Sequence, residues 1–179
     1  MLQKNTSLKG IHNQPNKLRK LSQHSKHAIF VGRFQPFHIG HMSIVERILT
    51  EYERLILVIG SAEKSGTDDN PWTLQEREEI IRASIPLELQ ERMDVVGLDD
   101  VPDDDIWCDN LQVLLPAEVI LFTGNEWVRD ICEKHGIPTD WIDSYEIDIS
   151  GTKIREMIWN GKDPHEYVLS NLAQSSSLQ

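Results

Sequence analysis

Cysteine is scarce in this sequence: Cys108 and Cys132 are the only two, and they form no Cys-x-x-Cys pair. That excludes a disulfide framework and a thiolate metal cage, and it fits a reducing compartment, so a cytoplasmic protein is expected. Long apolar runs are missing too. A run such as Leu55-Ile56-Leu57-Val58-Ile59 falls far short of the roughly 20 residues that span a bilayer, so no membrane helix is expected. Acidic residues are absent from 1–27, a stretch that holds six of the 18 Lys and Arg residues. The remaining 152 residues therefore carry 12 basic against 29 acidic side chains, a formal −17 hidden behind the overall −11. So acidic a body repels nucleic-acid backbones unless its cations are gathered in one place. No nucleic-acid partner is expected, and each Arg in a motif becomes informative.

What the sequence does contain is one domain's worth of chain, since about 150 residues bury roughly 70% of the surface they would expose unfolded. Residues 1–26 are rich in Asn, Gln, Ser, Lys and His and have no apolar period, so they read as a flexible basic tail. A transit peptide fits less well, because Arg19 is the only arginine there. Residues 27–170 form the expected domain, followed by a short polar tail over 171–179. Short β-branched runs predict strands at 28–33, 55–60, 94–98, 119–123 and 140–142. Between them, helices are predicted at about 40–52, from Thr73 to Pro86, at 107–115, at 126–134 closed by Gly136, and from Ser150 to near Gly161. Thr73 and Glu76 have the spacing of a capping box. The alternation predicts an α/β, doubly wound parallel sheet, with its ligand crevice at the strands' carboxyl ends.

Two motifs fall at such ends. In Gly32-Arg33-Phe34-Gln35-Pro36-Phe37-His38-Ile39-Gly40-His41, a strand passes through a stiff turn straight into a helix. Pro36 fixes its own φ and biases Gln35 toward extended geometry, while Gly40 lets a ligand approach the backbone. Free amides and the positive dipole end at a helix start suit a phosphate. His38 and His41, three apart, share a face and can donate to charge that grows in a transition state. Read as metal ligands, they lack a third partner with suitable spacing. The second motif is Ile149-Ser150-Gly151-Thr152-Lys153-Ile154-Arg155. Alone, it is an ordinary N-cap. Paired with the first, it adds a second helix N-terminus and a permanent cation for one polyphosphate.

The pair resembles the (H/T)-x-G-H and I-S-x-T-x-x-R signatures of the nucleotidyltransferase superfamily. More narrowly, the chain is similar to archaeal-type nicotinamide-nucleotide adenylyltransferases over about residues 28–162. Ile59-Gly60-Ser61-Ala62-Glu63-Lys64-Ser65, Asn70-Pro71-Trp72-Thr73, Glu76-Arg77, Ile106-Trp107 and Thr123-Gly124-Asn125 fall in the family's order. The resemblance implies a Rossmann-like nucleotidyltransferase that moves AMP from ATP to nicotinamide mononucleotide, giving NAD and pyrophosphate, with Mg²⁺ on the phosphates. It implies catalytic roles for His38, His41 and Arg155, and an ATP cradle from Gly32, Arg33, Phe34, Gly40, Ser150, Gly151 and Thr152. It also implies Trp107, Asp100, Asn125 and Trp72 as acceptor contacts, no protein-held metal, and the homo-oligomers common in the family.

Two segments depart from the family pattern. Ile39 stands where a basic residue is frequent, and Tyr145-Glu146-Ile147-Asp148-Ile149 replaces a segment that commonly carries Arg. Carboxylates there repel a phosphorylated acceptor or alter its binding mode. Nicotinate mononucleotide, a flavin nucleotide, phosphopantetheine or another phosphate therefore remain alternative acceptors. A sensor that binds nucleotides without turnover is a reading of a different class. The run Asp99-Asp100-Val101-Pro102-Asp103-Asp104-Asp105 reads as a solvated loop before a divalent-cation site.

Overall fold

A computed structural model of the chain describes residues 27–143 and 148–169. The expected tails over 1–26 and 171–179, and the departure at Glu146, lie outside the described residues. Five strands form the sheet: β1 (His27–Gly32), β2 (Arg54–Gly60), β3 (Met93–Leu98), β4 (Val119–Thr123) and β5 (Thr139–Trp141). Their order is β3-β2-β1-β4-β5 and every pairing is parallel. The helices are α1 (Ile39–Glu51), α2 (Leu74–Ser84), a single turn α3 (Leu87–Gln90), α4 (Asp104–Val113), α5 (Glu126–Lys134) and α6 (Gly151–Trp159).

Parallel strands buried on both faces need side chains that pack in both directions. Ala28 and Phe30 of β1 point into one core with Leu55, Leu57 and Ile59 of β2 and Ile120 and Phe122 of β4. Val45 and Ile48 of α1, Ile80 and Ile81 of α2, and Ile154 of α6 cover that face. Ile29 and Val31 point the other way, with Val58 and Leu121, onto Trp107, Cys108 and Leu111 of α4 and Val128, Ile131 and Cys132 of α5. The result is a three-layer, doubly wound sheet in one domain. The order in which strands are added reverses between β1 and β4, and that switch point opens a crevice at the carboxyl edge.

Helix α4 begins three residues before the expected Trp107. The reason is the acidic run, in which the Asp103 carboxylate accepts from the Asp105 and Ile106 amides as the N-cap. Asp104 and Asp105 then occupy the positive end of the helix dipole. Acids read as a loop are a helix start. The short α3 escapes the periodicity because one turn carries no amphipathic repeat.

Candidate active site

At the switch point β1 ends in Gly32 and β4 in Thr123, with Arg33, Gly124 and Asn125 following, and these residues border a cavity of about 440 Å³. Backbone geometry there is unusual. Phe34 has a φ of 49°, in the left-handed region that costs a residue with a Cβ roughly 1–2 kcal/mol. Its ring folds back over Gly32, where an added Cβ would lie 3.0 Å from two ring carbons. Gln35-Pro36 is a cis peptide. The Gln35 side chain then grips the next loop: Nε2 donates to the Trp72 carbonyl at 2.9 Å, and Oε1 accepts from the Trp72 amide at 3.1 Å.

His41 lines this cavity inside a cage of rings, 4.9 Å from Phe34 and 5.4 Å from Phe37 by centroid. The His38 backbone N–H donates to His41 Nδ1 at 3.2 Å, which leaves the ring proton on Nε2. His38 stacks on His41 at 3.7 Å and does not line either cavity at this edge. Burial lowers the His38 pKa to about 4. Burial, then the neighbouring His38, holds His41 well below the usual imidazole value. Both rings are neutral near pH 7. Gly40 is buried in the first turn of α1, away from the cavity lining, and the Ile39 amide is occupied by the Tyr167 carbonyl at 2.9 Å.

Ser150, Gly151, Thr152 and Arg155 complete the wall opposite. Ser150 Oγ caps α6 by accepting from the Lys153 amide. Gly151 permits close approach, since a Cβ there would sit 2.6 Å from the Gln35 carbonyl oxygen. Arg155 is only 3% exposed. Its Nη1 donates to that Gln35 carbonyl at 2.8 Å, and its Nη2 to Thr152 Oγ1 and Asp69 Oδ1, both at 3.3 Å. Its Nε is buried with no hydrogen-bond partner. Burial, then the nearby Arg33 charge, lowers its pKa. A buried cation with a spare donor suits an anion.

A second cavity, of about 360 Å³, adjoins the first and shares Val31, Gly32, Arg33 and Asn125 with it. Ser61, Asp100, Trp107 and Trp127 also line it. The Trp107 indole is 2% exposed, lies 4.8 Å from the Trp127 ring, and its Nε1 has no hydrogen-bond partner. Asp100 accepts from Lys64 Nζ at 2.6 Å and from Ser61 Oγ at 2.8 Å. Burial pushes its pKa up, but those two donors outweigh it and keep the carboxyl below its ordinary value. Trp72 is elsewhere: fully buried in the core, it borders neither cavity. Among the described residues no group of three His, Cys, Asp or Glu could hold a metal. The acidic run is dispersed, with Asp103 on a cap, Asp105 on Lys134 and His135, and Asp104 on the Trp127 indole.

Three participants carry no role in the sequence reading. Asp69 faces Arg155, Ser61 has a φ of 48°, and Arg77 is fully buried against the Arg33 and Gly60 carbonyls. Arg77 was detectable as a cation on the same helical stripe as Ile80, Ile81 and Ser84. A larger cavity, of about 580 Å³, lies at the opposite edge among Leu115, Pro116, Glu118, His135 and Ile137. It is bordered by the carboxyl ends of α4 and α5, whose dipoles disfavour an anion.

A family model described as cytidylyltransferase-like matches residues 29–157. The chain belongs to this family. It is 36% identical to the nicotinamide-nucleotide adenylyltransferase of Thermoplasma volcanium, over 76% of this chain and 77% of that one. With the protein of the same name from Thermococcus onnurineus it shares 34%, over 83% and 81%. The fold is that of a bifunctional NMN adenylyltransferase/ADP ribose pyrophosphatase from Francisella tularensis, solved with AMP and a manganese ion. The TM-score is 0.66 at 21% identity, over 82% of this chain and 45% of that one. A NadR protein in complex with NAD and AMP-PNP matches at a TM-score of 0.63 and 20% identity, over 80% and 44%. This chain thus spans less than half the length of those two structures.

Proposed function

We infer that this chain is a nicotinamide-nucleotide adenylyltransferase, joining ATP and nicotinamide mononucleotide into NAD and pyrophosphate. The observation that carries the reading is the pair of adjoining cavities that meet at Gly32, Arg33 and Asn125. Two nucleotides placed there bring an acceptor phosphate and an α-phosphorus together. An acceptor phosphate oxygen bonds to the α-phosphorus of ATP as the bond to the bridging oxygen of pyrophosphate breaks. No protein nucleophile takes part.

ATP occupies the cavity bounded by α1 and α6. There His41 Nε2–H, Arg33 and the Arg155 guanidinium donate to its phosphates, with the α6 amides behind Gly151 and Thr152. Ser150 acts through its cap, and His38 acts by holding the His41 ring. Donors already aimed at growing charge stabilise the transition state without reorganising as it forms. In-line positioning itself supplies on the order of 7–11 kcal/mol. Mg²⁺ arrives as part of the ATP complex, on its phosphates. In the second cavity Trp107 and Asn125 hold the acceptor, with Asp100 fixed beside them by Lys64 and Ser61. The relatives named for this reaction support the choice of acceptor. Unpaired, buried thiols at Cys108 and Cys132 suit a reducing compartment such as the cytoplasm.

ATP labelled at its α-phosphate, incubated with nicotinamide mononucleotide and Mg²⁺, is expected to yield labelled NAD and pyrophosphate one to one. Tight ATP binding with no pyrophosphate released at any Mg²⁺ concentration contradicts the reading and favours a sensor.

A further inference from the structure

Arg77 has no carboxylate partner in its hydrogen-bond set. All six of its hydrogen bonds go to backbone carbonyls: Nε to Thr73, Nη1 to Arg33 at 3.1 Å and Gly60 at 2.9 Å, Nη2 to Ser61, Ala62 and Lys64. Apart from Thr73, the N-cap of α2, these carbonyls belong to the exits of two neighbouring strands. Arg33 follows β1, and Gly60 closes β2. In a trans peptide the carbonyl and the next residue's N–H point in opposite directions. Drawing the Arg33 and Gly60 carbonyls onto one guanidinium therefore turns the Phe34 and Ser61 amides away from it.

Phe34 and Ser61 are also the two non-glycine residues with positive φ among those described, at 49° and 48°. Each directly follows a carbonyl held by Arg77. Phe34 borders the first cavity and Ser61 the second. Left-handed backbone at residues with a Cβ persists only where the surroundings over-determine it. One buried fork supplies that constraint at both exits. We propose that Arg77 is the positioning residue of the site, clamping the β1 and β2 exits into paired left-handed turns so that both nucleotide cavities keep one register.

Lysine cannot replace it. Its single ammonium presents three donors from one point, whereas the guanidinium spreads five over a rigid plane. The Arg33 and Lys64 carbonyls are met by different nitrogens, Nη1 and Nη2.

The proposal rests on the adenylyl-transfer reading, and the parent chain separates the two: a parent that makes no NAD refutes that reading, not the clamp. In a parent that does, Arg77→Lys is expected to keep a cooperative thermal transition. It should lose about 10²-fold in kcat/KM, with KM rising for both substrates, as misplacement of a site by about 1 Å does. The discriminating comparison is Ser61→Gly against Ser61→Ala, which lose the same hydroxyl but differ in their tolerance of positive φ. With Arg77 present, the two should turn over within about twofold of each other. In the Arg77→Lys background, glycine should exceed alanine about fivefold, because only alanine resists the left-handed turn. An equal ratio in both backgrounds overturns the proposal, as does an Arg77→Lys variant within about threefold of the parent. Failure of Arg77→Lys to fold with either residue at 61 also overturns it, since Arg77 is then a scaffold cation.

Discussion

His41 owes its chemistry to what surrounds it more than to its own acidity. The His38 amide fixes its tautomer, and burial keeps it neutral. His41→Ala is therefore expected to lower turnover about 10²–10³-fold, as removal of one charge-stabilising donor does, measured as the rate of NAD formation. A loss below tenfold removes His41 from the reaction. Gly151 makes a separate case, because a methyl there meets the backbone oxygen of Gln35 at 2.6 Å. Gly151→Ala must move either α6 or the turn after β1, and kcat/KM for ATP should fall about 10²-fold. At this scale the sequence was half legible. Glycines and cations at strand ends pointed to a shared crevice, and Gly32, Arg33, Gly151 and Arg155 do line one cavity. It could not tell that His38 stands behind His41, since residues three apart on a helix share a face without sharing an exposure. Nor could it place Trp72, whose ring is buried in the core and whose backbone is held by Gln35, distant in sequence.

Helix α2 shows how an element delivers a side chain. The Glu76 amide donates to Thr73 Oγ1 at 3.2 Å while Glu76 Oε2 accepts from the Thr73 amide at 2.9 Å. The reciprocal cap fixes the first turn, and the Thr73 carbonyl, held there, accepts from Arg77 Nε. Thr73→Ala should cost about 1 kcal/mol of stability, seen as a lower urea midpoint at unchanged slope. No change in midpoint contradicts the cap. Elements were the most legible scale, because strand runs and caps are local signals. Besides the single turn α3, the exception was α4, which began early because its own acids cap it; a charge run viewed as composition hides that geometry. Arg77 was named only within the Glu76-Arg77 segment and given no role, although its place on the apolar stripe marks it as buried.

Over the whole molecule, strand order places two adjoining cavities side by side in a body of net acidic charge. Storing two neutral imidazoles in its interior makes the fold sensitive to acid. His38 titrates near 4 when folded and near 6.5 when unfolded, so between those values the unfolded chain binds protons that the folded one refuses. Stability is full above about pH 6.5 and falls as the pH drops toward 4, by about 3 kcal/mol from His38 alone, with His41 acting in the same direction. Denaturation midpoints at pH 7, 5.5 and 4.5 should fall in that order, and a flat series contradicts the neutral pair.

The doubly wound topology was legible because alternating short strands and capped helices leave few other arrangements. That the two cavities join was not, because it depends on how far each loop reaches past its strand. The most direct measurement of the central claim uses that junction. The chain is given ATP and Mg²⁺ with nicotinamide mononucleotide, nicotinate mononucleotide, a flavin nucleotide and phosphopantetheine in competition, and the adenylylated products are resolved by mass. NAD is predicted to dominate. Accumulation of another adenylylated product in its place contradicts the account.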